Sequence, residues 1–245
     1  MKENLMSLKK RIQKYISYKI SAYNRQRKWK LFWELINPKK EDTILDVGFM
    51  IKERFDVDNY LERNYPHPEN ITALGIEDAV EFEEKYPQIK AVKYDGKIFP
   101  FADKTFDICW SNAVIEHVGN KERQILFLKE INRVAKIAYI TTPNKYFPVE
   151  VHTLTPLMHM LPKNLFDKYL TLTNRKWATG NFMNILSLKD VQELAKAAGI
   201  SQYKIIKNKF LGFNLDFIII FGDALTDSYH SKDISNETKV ELIVS

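Results

Sequence analysis

The segment that most constrains this chain lies between residues 95 and 118, because it contains the ends of two strand patterns. Asp95 and Gly96 form a strong turn dipeptide directly after one apolar run. A second apolar run, at 106–111, leads into polar side chains, namely Ser111, Asn112, Glu116 and His117. In an open α/β sheet, ligands bind in the crevice outside the carboxyl ends of the strands. We therefore expect the functional site of the protein in this segment.

Strand and helix patterns alternate through most of the chain. Apolar strand patterns lie at 43–48, 71–77, 89–94, 106–111 and 137–142. Helical periodicity occurs at 121–136, and Ser187 with Asp190 fits a capping box that opens a further helix. This alternation predicts a doubly wound α/β fold with a mostly parallel sheet and right-handed crossovers. Two last strand patterns, at 203–211 and 215–221, are so close that they must pair as a C-terminal antiparallel hairpin.

The composition is typical of one globular domain in a reducing compartment. The chain has 245 residues, of which 45% are hydrophobic and 28% charged, and it contains no apolar run long enough for a transmembrane helix. Cys109 is its only cysteine and lies in an apolar strand pattern, which predicts a buried thiol. The N-terminus lacks the continuous apolar stretch of a secretory signal. We therefore expect a cytoplasmic protein.

The first 40 residues form a basic arm. They contain twelve Lys and Arg residues against two Glu, a net charge of +10, so the rest of the chain carries −4 of the total +6. Apolar residues at helical spacing predict one amphipathic helix, followed by a second that Asn24 caps and that Asn37 and Pro38 end. These helices would cover the sheet or join two copies as a homodimer, or they would contact an anionic membrane face or protein partner. A solvated helix face explains the charge equally well.

Several residues, at fixed distances along the chain, form a pattern that resembles one enzyme family. They are Asp95-Gly96, Pro100-Phe101, Asp103, Phe106-Asp107 and the run Ser-Asn-Ala-Val-Ile-Glu-His-Val at 111–118. Together they are similar to class I S-adenosylmethionine (SAM)-dependent methyltransferases, particularly the small-molecule group of bacterial surface-polysaccharide pathways. The resemblance covers roughly residues 41–222. It implies a Rossmann-like, mostly parallel sheet that is finished by an antiparallel hairpin.

The resemblance implies SAM as the cofactor and S-adenosyl-L-homocysteine (SAH) as its product. Asp46 and Gly48 match the first two fixed positions of the family's first motif, Asp-x-Gly-x-Gly-x-Gly. Met50 and Lys52 replace the later glycines, so either the loop takes another path around the cofactor or the chain no longer binds one. The missing glycines also disfavour a nicotinamide-dependent oxidoreductase.

The other expected cofactor residues follow strand patterns. Glu77 lies at a strand tip, where its two carboxylate oxygens can accept both ribose hydroxyls; a charge in the first turn of the next helix is the alternative role. In the family, the residue at the position of Asp95 reads the adenine amino group, and the alternative is a simple turn with Gly96. Ser111 and Asn112 complete the predicted cofactor site.

Residues 144–186 interrupt the alternation with a long apolar and aromatic insertion. It follows a strand and therefore either covers the acceptor pocket as a lid or packs as a helical insert. Its Phe-Pro-x-Glu-x-His segment, which resembles the polysaccharide-pathway relatives, ends at His152. His117 and His152 are the two candidates for a general base. The spacing of Glu150, His152 and His159 matches no dedicated ligand set, so we expect no metal site.

The sequence thus predicts three parts, with basic helices at 1–40, a methyltransferase-like domain at 41–222 and a tail at 223–245 that is frayed or ends in a short swapped strand. The predicted function is methyl transfer from SAM to a small acceptor of capsule or other surface-polysaccharide biosynthesis. That acceptor would be an anionic or nucleotide-linked carbohydrate or a phosphoryl or phosphoramidate group. The alternative is a methyltransferase-like binding or scaffold protein without turnover. No nucleic-acid-binding motif is present, so we expect no nucleic acid partner.

Overall fold

Helices and strands alternate as the sequence predicts. A computed structural model describes residues 2–150, 153, 155–223, 225 and 241–244, and for residues 2–17, 181 and 241–244 it describes the backbone alone. The helices in this part of the chain are α1 (Lys2–Leu35), α2 (Tyr60–Asn64), α3 (Val80–Lys85), α4 (Lys121–Val134), α5 (Lys163–Leu172) and α6 (Leu188–Ala197). The strands are β1 (Ile44–Val47), β2 (Ile71–Gly75), β3 (Lys90–Lys93), β4 (Phe106–Asn112), β5 (Ala135–Pro143), β6 (Val149–Glu150), β7 (Thr155–Pro156), β8 (Tyr203–Phe210), β9 (Phe213–Phe221) and β10 (Glu241–Val244).

The central sheet confirms the predicted fold class. Its strand order is β10-β8-β9-β5-β4-β1-β2-β3, in which β1 to β5 are parallel and β9 runs antiparallel to β5. Strands β8 and β9 form the predicted C-terminal hairpin. Strand β10 pairs antiparallel with β8 of the same chain, so the end of the tail adds an eighth strand to its own sheet.

A hydrophobic core lies on each face of this sheet. One core packs α4 and α6 against the sheet through side chains such as Phe127 and Leu194, and the buried thiol of Cys109 belongs to it. The other core packs α1 and α2 against the opposite face, with Phe32 and Leu61 fully buried. Alternate residues of each strand supply the two cores, as a parallel sheet buried on both faces requires.

The N-terminal arm is one helix of 34 residues rather than the two helices that we predicted. Asn24 lies inside α1 and does not cap a second helix. Its side-chain amide instead donates to Asp216 Oδ2 of β9 at 2.5 Å, because α1 packs against the sheet at this point. No helix that the structure describes is both long and apolar enough to cross a membrane.

A buried ion pair fastens α1 to the sheet. Lys28 is 4% exposed and Asp216 of β9 is 3% exposed, and Lys28 Nζ lies 3.1 Å from Asp216 Oδ2. Lys28 Nζ also lies 3.2 Å from both Asn112 Oδ1 and Thr141 Oγ1. Tyr139 OH donates to the carbonyl oxygen of Lys28. These bonds satisfy the buried charges, as a pair removed from water requires.

The insertion at 144–186 has a small core of its own. It contains the two-stranded β6-β7 ladder and α5, and Phe166, Leu170, Ala178 and Met183 are buried together. The predicted capping box follows, since Ser187 Oγ accepts from the Asp190 backbone and the Asp190 side chain accepts from the Ser187 backbone. Whether the insertion acts as a lid stays a prediction.

The substitution Lys28→Met tests the ion pair. It leaves Asp216 buried without its cation, so we expect the free energy of unfolding, measured by urea titration, to fall by about 3–5 kcal/mol. Lys30→Met on the exposed side of the same helix, where Lys30 pairs with Glu34, should change it by less than about 1 kcal/mol. Adding Asp216→Leu to Lys28→Met should recover most of the loss. Equal effects of the two single changes would contradict the assignment.

Candidate functional site

Gly48 lies at the carboxyl end of β1 and opens the site. It adopts φ +96°, and its N–H donates to Leu74 O at 3.0 Å. A Cβ atom at this position would lie 2.4 Å from Val114 Cγ2, so the turn accepts only glycine. Gly48 itself is exposed, at the carboxyl end of β1 where the cofactor is predicted to bind.

Asn59 holds the loop that follows Gly48. Its side chain makes two hydrogen bonds to the backbone of Met50, accepting from the N–H at 2.7 Å and donating to the carbonyl oxygen at 2.8 Å. Asn59 has φ +47°, a conformation that asparagine tolerates better than most residues. Asp58 beside it accepts from the N–H groups of Arg54 and Phe55. Fixed polar bonds therefore hold a loop that has no glycine after Gly48.

Helix α1 and α2 close over the outer side of this loop. Tyr18 donates to Asp56 at 2.5 Å and its ring contacts Phe55 at a centroid distance of 5.8 Å. Glu53 accepts from Arg63 of α2 and from Asn59. These contacts hold residues 53–59 between two helices. The adjacent Asp58 and Asn59, which favour turns, are the one sequence signal for this arrangement.

Phe49 turns back under the second strand. Its ring lies against Gly75, where a Cβ atom would be 2.9 Å from Phe49 Cε1, and it contacts the ring of Phe82 at a centroid distance of 4.2 Å. The ring thereby joins the core on the α1 side of the sheet. This anchor holds the start of the loop against β2 and α3.

Glu77 and Asp95 follow the carboxyl ends of β2 and β3, on the same side of the sheet as Gly48. Both side chains are exposed. Among the residues that the structure describes, none forms a hydrogen bond or ion pair with Glu77, while its neighbour Asp78 pairs with Lys93 at 2.9 Å. Asp95 Oδ1 accepts a hydrogen bond from the Lys97 N–H at 2.9 Å. Asp95 therefore stabilises the turn that was its alternative role, while its Oδ2 is not used by this bond. The proposed adenosine contacts of Glu77, Asp95 and Gly96 stay predictions.

Asn112 ends β4 with a fixed side-chain orientation. Its Oδ1 accepts from Lys28 Nζ at 3.2 Å and from Thr141 Oγ1 at 2.7 Å. An ammonium group can only donate, so the oxygen must face inward and the NH₂ group must face the other way. Ser111 differs, because it is fully buried and donates to Val47 O at 3.1 Å. The predicted cofactor contacts of Asn112 and Ser111 stay predictions, and of the two only Asn112 is partly exposed.

Asp46 is buried at the end of β1, two residues before Gly48. Its carboxyl group forms a hydrogen bond with Glu62 of α2, and burial with the neighbouring carboxyl group raises the pKa of Asp46 well above its usual value. Burial also raises the pKa of Glu62, and Arg25 of α1 opposes that shift. The contact between the two carboxyl groups joins β1 to α2. The predicted contact of Asp46 with the cofactor stays a prediction.

His117 lies in a single 3₁₀ turn, Ile115–His117, beyond β4. Its Nδ1 is 2.8 Å from the carbonyl oxygen of Phe182, which can only accept, so Nδ1 carries the hydrogen and the neutral ring keeps a lone pair on Nε2. Glu116 of the same turn is fully buried and accepts from Thr142 Oγ1 at 3.1 Å. This bond ties the turn to β5. His152, the second predicted base, lies outside the described residues.

Comparison with known proteins agrees with this geometry. Residues 59–138 match a methyltransferase domain family, and the match begins just after the glycine-free loop. A SAM-dependent methyltransferase from Thermotoga maritima superposes with a TM-score of 0.55 at 11% identity, over 87% of this chain and 95% of that one. Another from Aquifex aeolicus gives 0.51 at 16% identity, over 79% and 88%. No curated protein sequence matches the chain.

Residues 59–138 thus match a methyltransferase domain, and the chain has the fold of SAM-dependent methyltransferases, which together support a SAM-dependent methyltransferase activity. SAM is the cofactor of such enzymes, and Glu77 fits it, because its carboxylate is exposed and has no hydrogen-bond or ion-pair partner among the described residues. At Gly48 the need for glycine comes from the neighbouring Val114 side chain, which a Cβ atom would meet. Sequence analysis did not identify three residues that support the site through their contacts, namely Lys28, Asn59 and Glu62.

The substitution Asn112→Asp tests the outward amide. It preserves the inner oxygen that Lys28 and Thr141 bind but replaces the outward donor with an acceptor. We expect SAH affinity, measured by calorimetry, to fall at least about tenfold, or about 1.4 kcal/mol. Asn64→Asp adds the same charge on exposed α2 and should leave the affinity within about twofold. Unchanged SAH binding by Asn112→Asp would show that the amide does not contact the cofactor.

The buried acid pair predicts a pH dependence of stability. Both carboxyl groups have folded pKa values above their unfolded ones, so their contribution is complete at low pH and is lost as pH rises through the folded values. Asp46→Asn keeps a hydrogen-bonding group that cannot ionise. Its free energy of unfolding relative to wild type should rise as the pH increases above about 4, the usual range of carboxyl groups, by about 1.4 kcal/mol per unit of removed shift. A difference in urea titrations that stays constant with pH would contradict the raised pKa values.

Proposed function

We propose that this enzyme transfers the SAM methyl group to a small acceptor of capsule or other surface-polysaccharide biosynthesis. The acceptor class is an anionic or nucleotide-linked carbohydrate or a phosphoryl or phosphoramidate group. The observation that carries the methyl-transfer part is the crevice at the carboxyl ends of β1 to β4, where Gly48, Glu77, Asp95 and Asn112 meet one edge of the sheet. The acceptor class rests on the resemblance of residues 95–118 and of the insertion to that group of methyltransferases.

Each side chain has a defined role in this proposal. SAM, when bound, supplies an electrophilic methyl group that an acceptor attacks in line. Glu77 accepts the two ribose hydroxyls, because a carboxylate offers two oxygens to two neighbouring donors. Asp95 binds the adenine amino group through the oxygen outside its turn, and the Asn112 amide donates to an oxygen at the centre of the crevice. Holding donor and acceptor in line is the largest catalytic contribution expected here.

His117 is the proposed general base for a hydroxyl acceptor. The Phe182 carbonyl fixes the tautomer with hydrogen on Nδ1, so Nε2 is the atom that receives the proton. Phe182 belongs to the insertion and its ring contacts the imidazole at a centroid distance of 5.5 Å. The insertion therefore positions the base, and the proposal that it covers the acceptor follows from this contact. His152 remains a second proposed base.

Calorimetric titration with SAM and SAH tests the cofactor site. We expect both ligands to bind, and Glu77→Ala to weaken SAH about 10- to 150-fold, since a hydrogen bond to a charged group contributes about 1.5–3 kcal/mol. Asp78→Ala is the matched control, because Asp78 is adjacent and exposed but pairs with Lys93. It should change the affinity less than about twofold. Absence of binding to the unmodified protein would support a scaffold without turnover.

Transfer of a labelled methyl group tests the acceptor class and the base. A panel of nucleotide-activated sugars, sugar phosphates and neutral sugars should yield product with the anionic members only. With the acceptor so found, His117→Ala should lower kcat by about 10²- to 10⁴-fold while SAH affinity stays the same. Transfer to neutral sugars alone would refute the acceptor class, and an unchanged kcat would refute the base.

A further inference from the structure

A second cavity lies apart from the cofactor crevice. It has a volume of about 260 Å³ and is lined by α4, α6 and the insertion. Its apolar wall includes Phe166, Met183 and Leu194, and none of the proposed cofactor residues lines it. Pockets for drug-sized ligands span about 300–1,000 Å³, so this one suits a smaller molecule.

The charged lining of this cavity is mainly cationic. Lys121, Lys145 and Lys163 line it, with Asp190 as the only carboxylate among the described lining residues. Asp190 is already engaged, since it accepts from the backbone and hydroxyl of Ser187 at the start of α6. Its charge is therefore directed to the helix cap, and the field inside the cavity favours an anion.

The three lysines differ in their partners. Lys121 pairs with Glu193 at 2.8 Å, and Lys163 pairs with Asp167 at 2.5 Å. Within the described part of the chain, the Lys145 ammonium has no ion pair, although it lines the same space. An anion in the cavity would give Lys145 the counter-charge that its two neighbours already have.

His159 adds a buried polar group to the wall. It is 4% exposed, and its Nε2 lies 2.9 Å from the carbonyl oxygen of Phe147, so Nε2 carries the hydrogen. Its Nδ1 is buried and has no hydrogen-bond partner among the described residues. Burial lowers the pKa of His159, while Glu150 and the nearby carbonyl groups of Thr155 and Lys145 oppose this shift. A buried nitrogen without a partner is costly unless a ligand satisfies it.

We propose that this cavity binds the phosphate group of a small phosphate monoester. The phosphate would lie between Lys145 and His159, and the organic part would contact the apolar wall near Phe166 and Met183. A phosphate monoester has a second pKa near 6, so near neutral pH it exchanges its last proton readily. Its monoanion can donate this proton to Nδ1, and its dianion can accept one from a protonated ring. A sulfate monoester lacks this proton and cannot satisfy the neutral imidazole.

The wall of the cavity is joined to the turn that carries His117. Gln124 Nε2 donates to Ile115 O at 3.1 Å, and the Asn184 N–H donates to Glu116 O at 2.7 Å. Both Gln124 and Asn184 line the cavity. Gln124 and Asn184 would therefore separate a bound phosphate from the turn that carries the proposed base. The phosphate site itself does not depend on methyl transfer.

Calorimetric titration of the full chain with phenyl phosphate and phenyl sulfate at pH 7 tests the proposal. We expect phenyl phosphate to bind at least about tenfold more tightly than phenyl sulfate. His159→Gln keeps a donor for the Phe147 carbonyl but removes Nδ1, and Lys145→Met removes the cation. Each should weaken phenyl phosphate at least about tenfold. Lys168→Met, which removes an exposed cation of α5 outside the cavity, should leave binding within about twofold.

Two further measurements distinguish the proposed phosphate site from the proposed cofactor site and from a loss of folding. The SAH affinity of Lys145→Met should equal that of wild type, so the cofactor site and the phosphate site can fail independently. Thermal unfolding of His159→Gln checks its fold, and Lys145→Met decides the result if that variant is unstable. Equal binding of phosphate and sulfate esters would overturn the proposal, as would binding that Lys145→Met does not weaken. Methyl transfer to a bound phosphate ester would identify it as an acceptor, and binding without transfer would identify it as an effector.

Discussion

The ion pair between Lys28 and Asp216 is the interaction on which the arrangement of this protein depends. It is buried at the edge of the sheet where the parallel strands end, and it joins the N-terminal helix to a strand almost 190 residues later. A buried pair is stable only when hydrogen bonds complete its coordination, and Asn112, Thr141 and Asn24 supply them. Because Asn112 also faces the crevice, the anchor of the helix orients a residue of the site.

The loop after Gly48 is held in place without repeated glycines. Glycine loops approach a ligand closely because they lack side chains, but they lose more conformational entropy on folding. Here Asn59 and Asp58 bind the loop backbone, Phe49 anchors its start, and α1 covers its outer side. Side-chain hydrogen bonds therefore restrict the loop, and one glycine is kept at the position where Val114 leaves no room for a Cβ atom.

The proposed cofactor crevice and the second cavity carry opposite charges. The crevice carries the exposed carboxylates of Glu77 and Asp95, which suit the donors of an adenosine and the positive sulfonium of SAM. The cavity behind it carries three lysines and a buried histidine, which suit an anion. The turn from Ile115 to His117 lies between them and is held by Glu116 on one side and by Gln124 on the other. This separation lets each space select its own ligand.

The fold followed from the sequence because its signals are local. Alternation of strand and helix patterns, the short link between β8 and β9, and the capping box at Ser187 were all predicted and are all present. The sequence likewise placed four residues at the carboxyl ends of the parallel strands, namely Gly48, Glu77, Asp95 and Asn112. Helix α1 was predicted as two helices, because Asn24 is a good cap and its real partner, Asp216, is distant in sequence.

The sequence by itself determined the order of the elements and which polar residues follow the carboxyl ends of the strands, since periodicity and turn residues act over a few neighbours. Only the tertiary structure decided which of these polar residues are buried and which are exposed. It buried Asp46 against Glu62 and Ser111 against Val47, turned the Asn112 amide outward with Lys28, and enclosed His159 beside three lysines. These outcomes depend on partners far apart along the chain, and burial, which sets the cost of each unpaired polar group, exists only after the chain has packed.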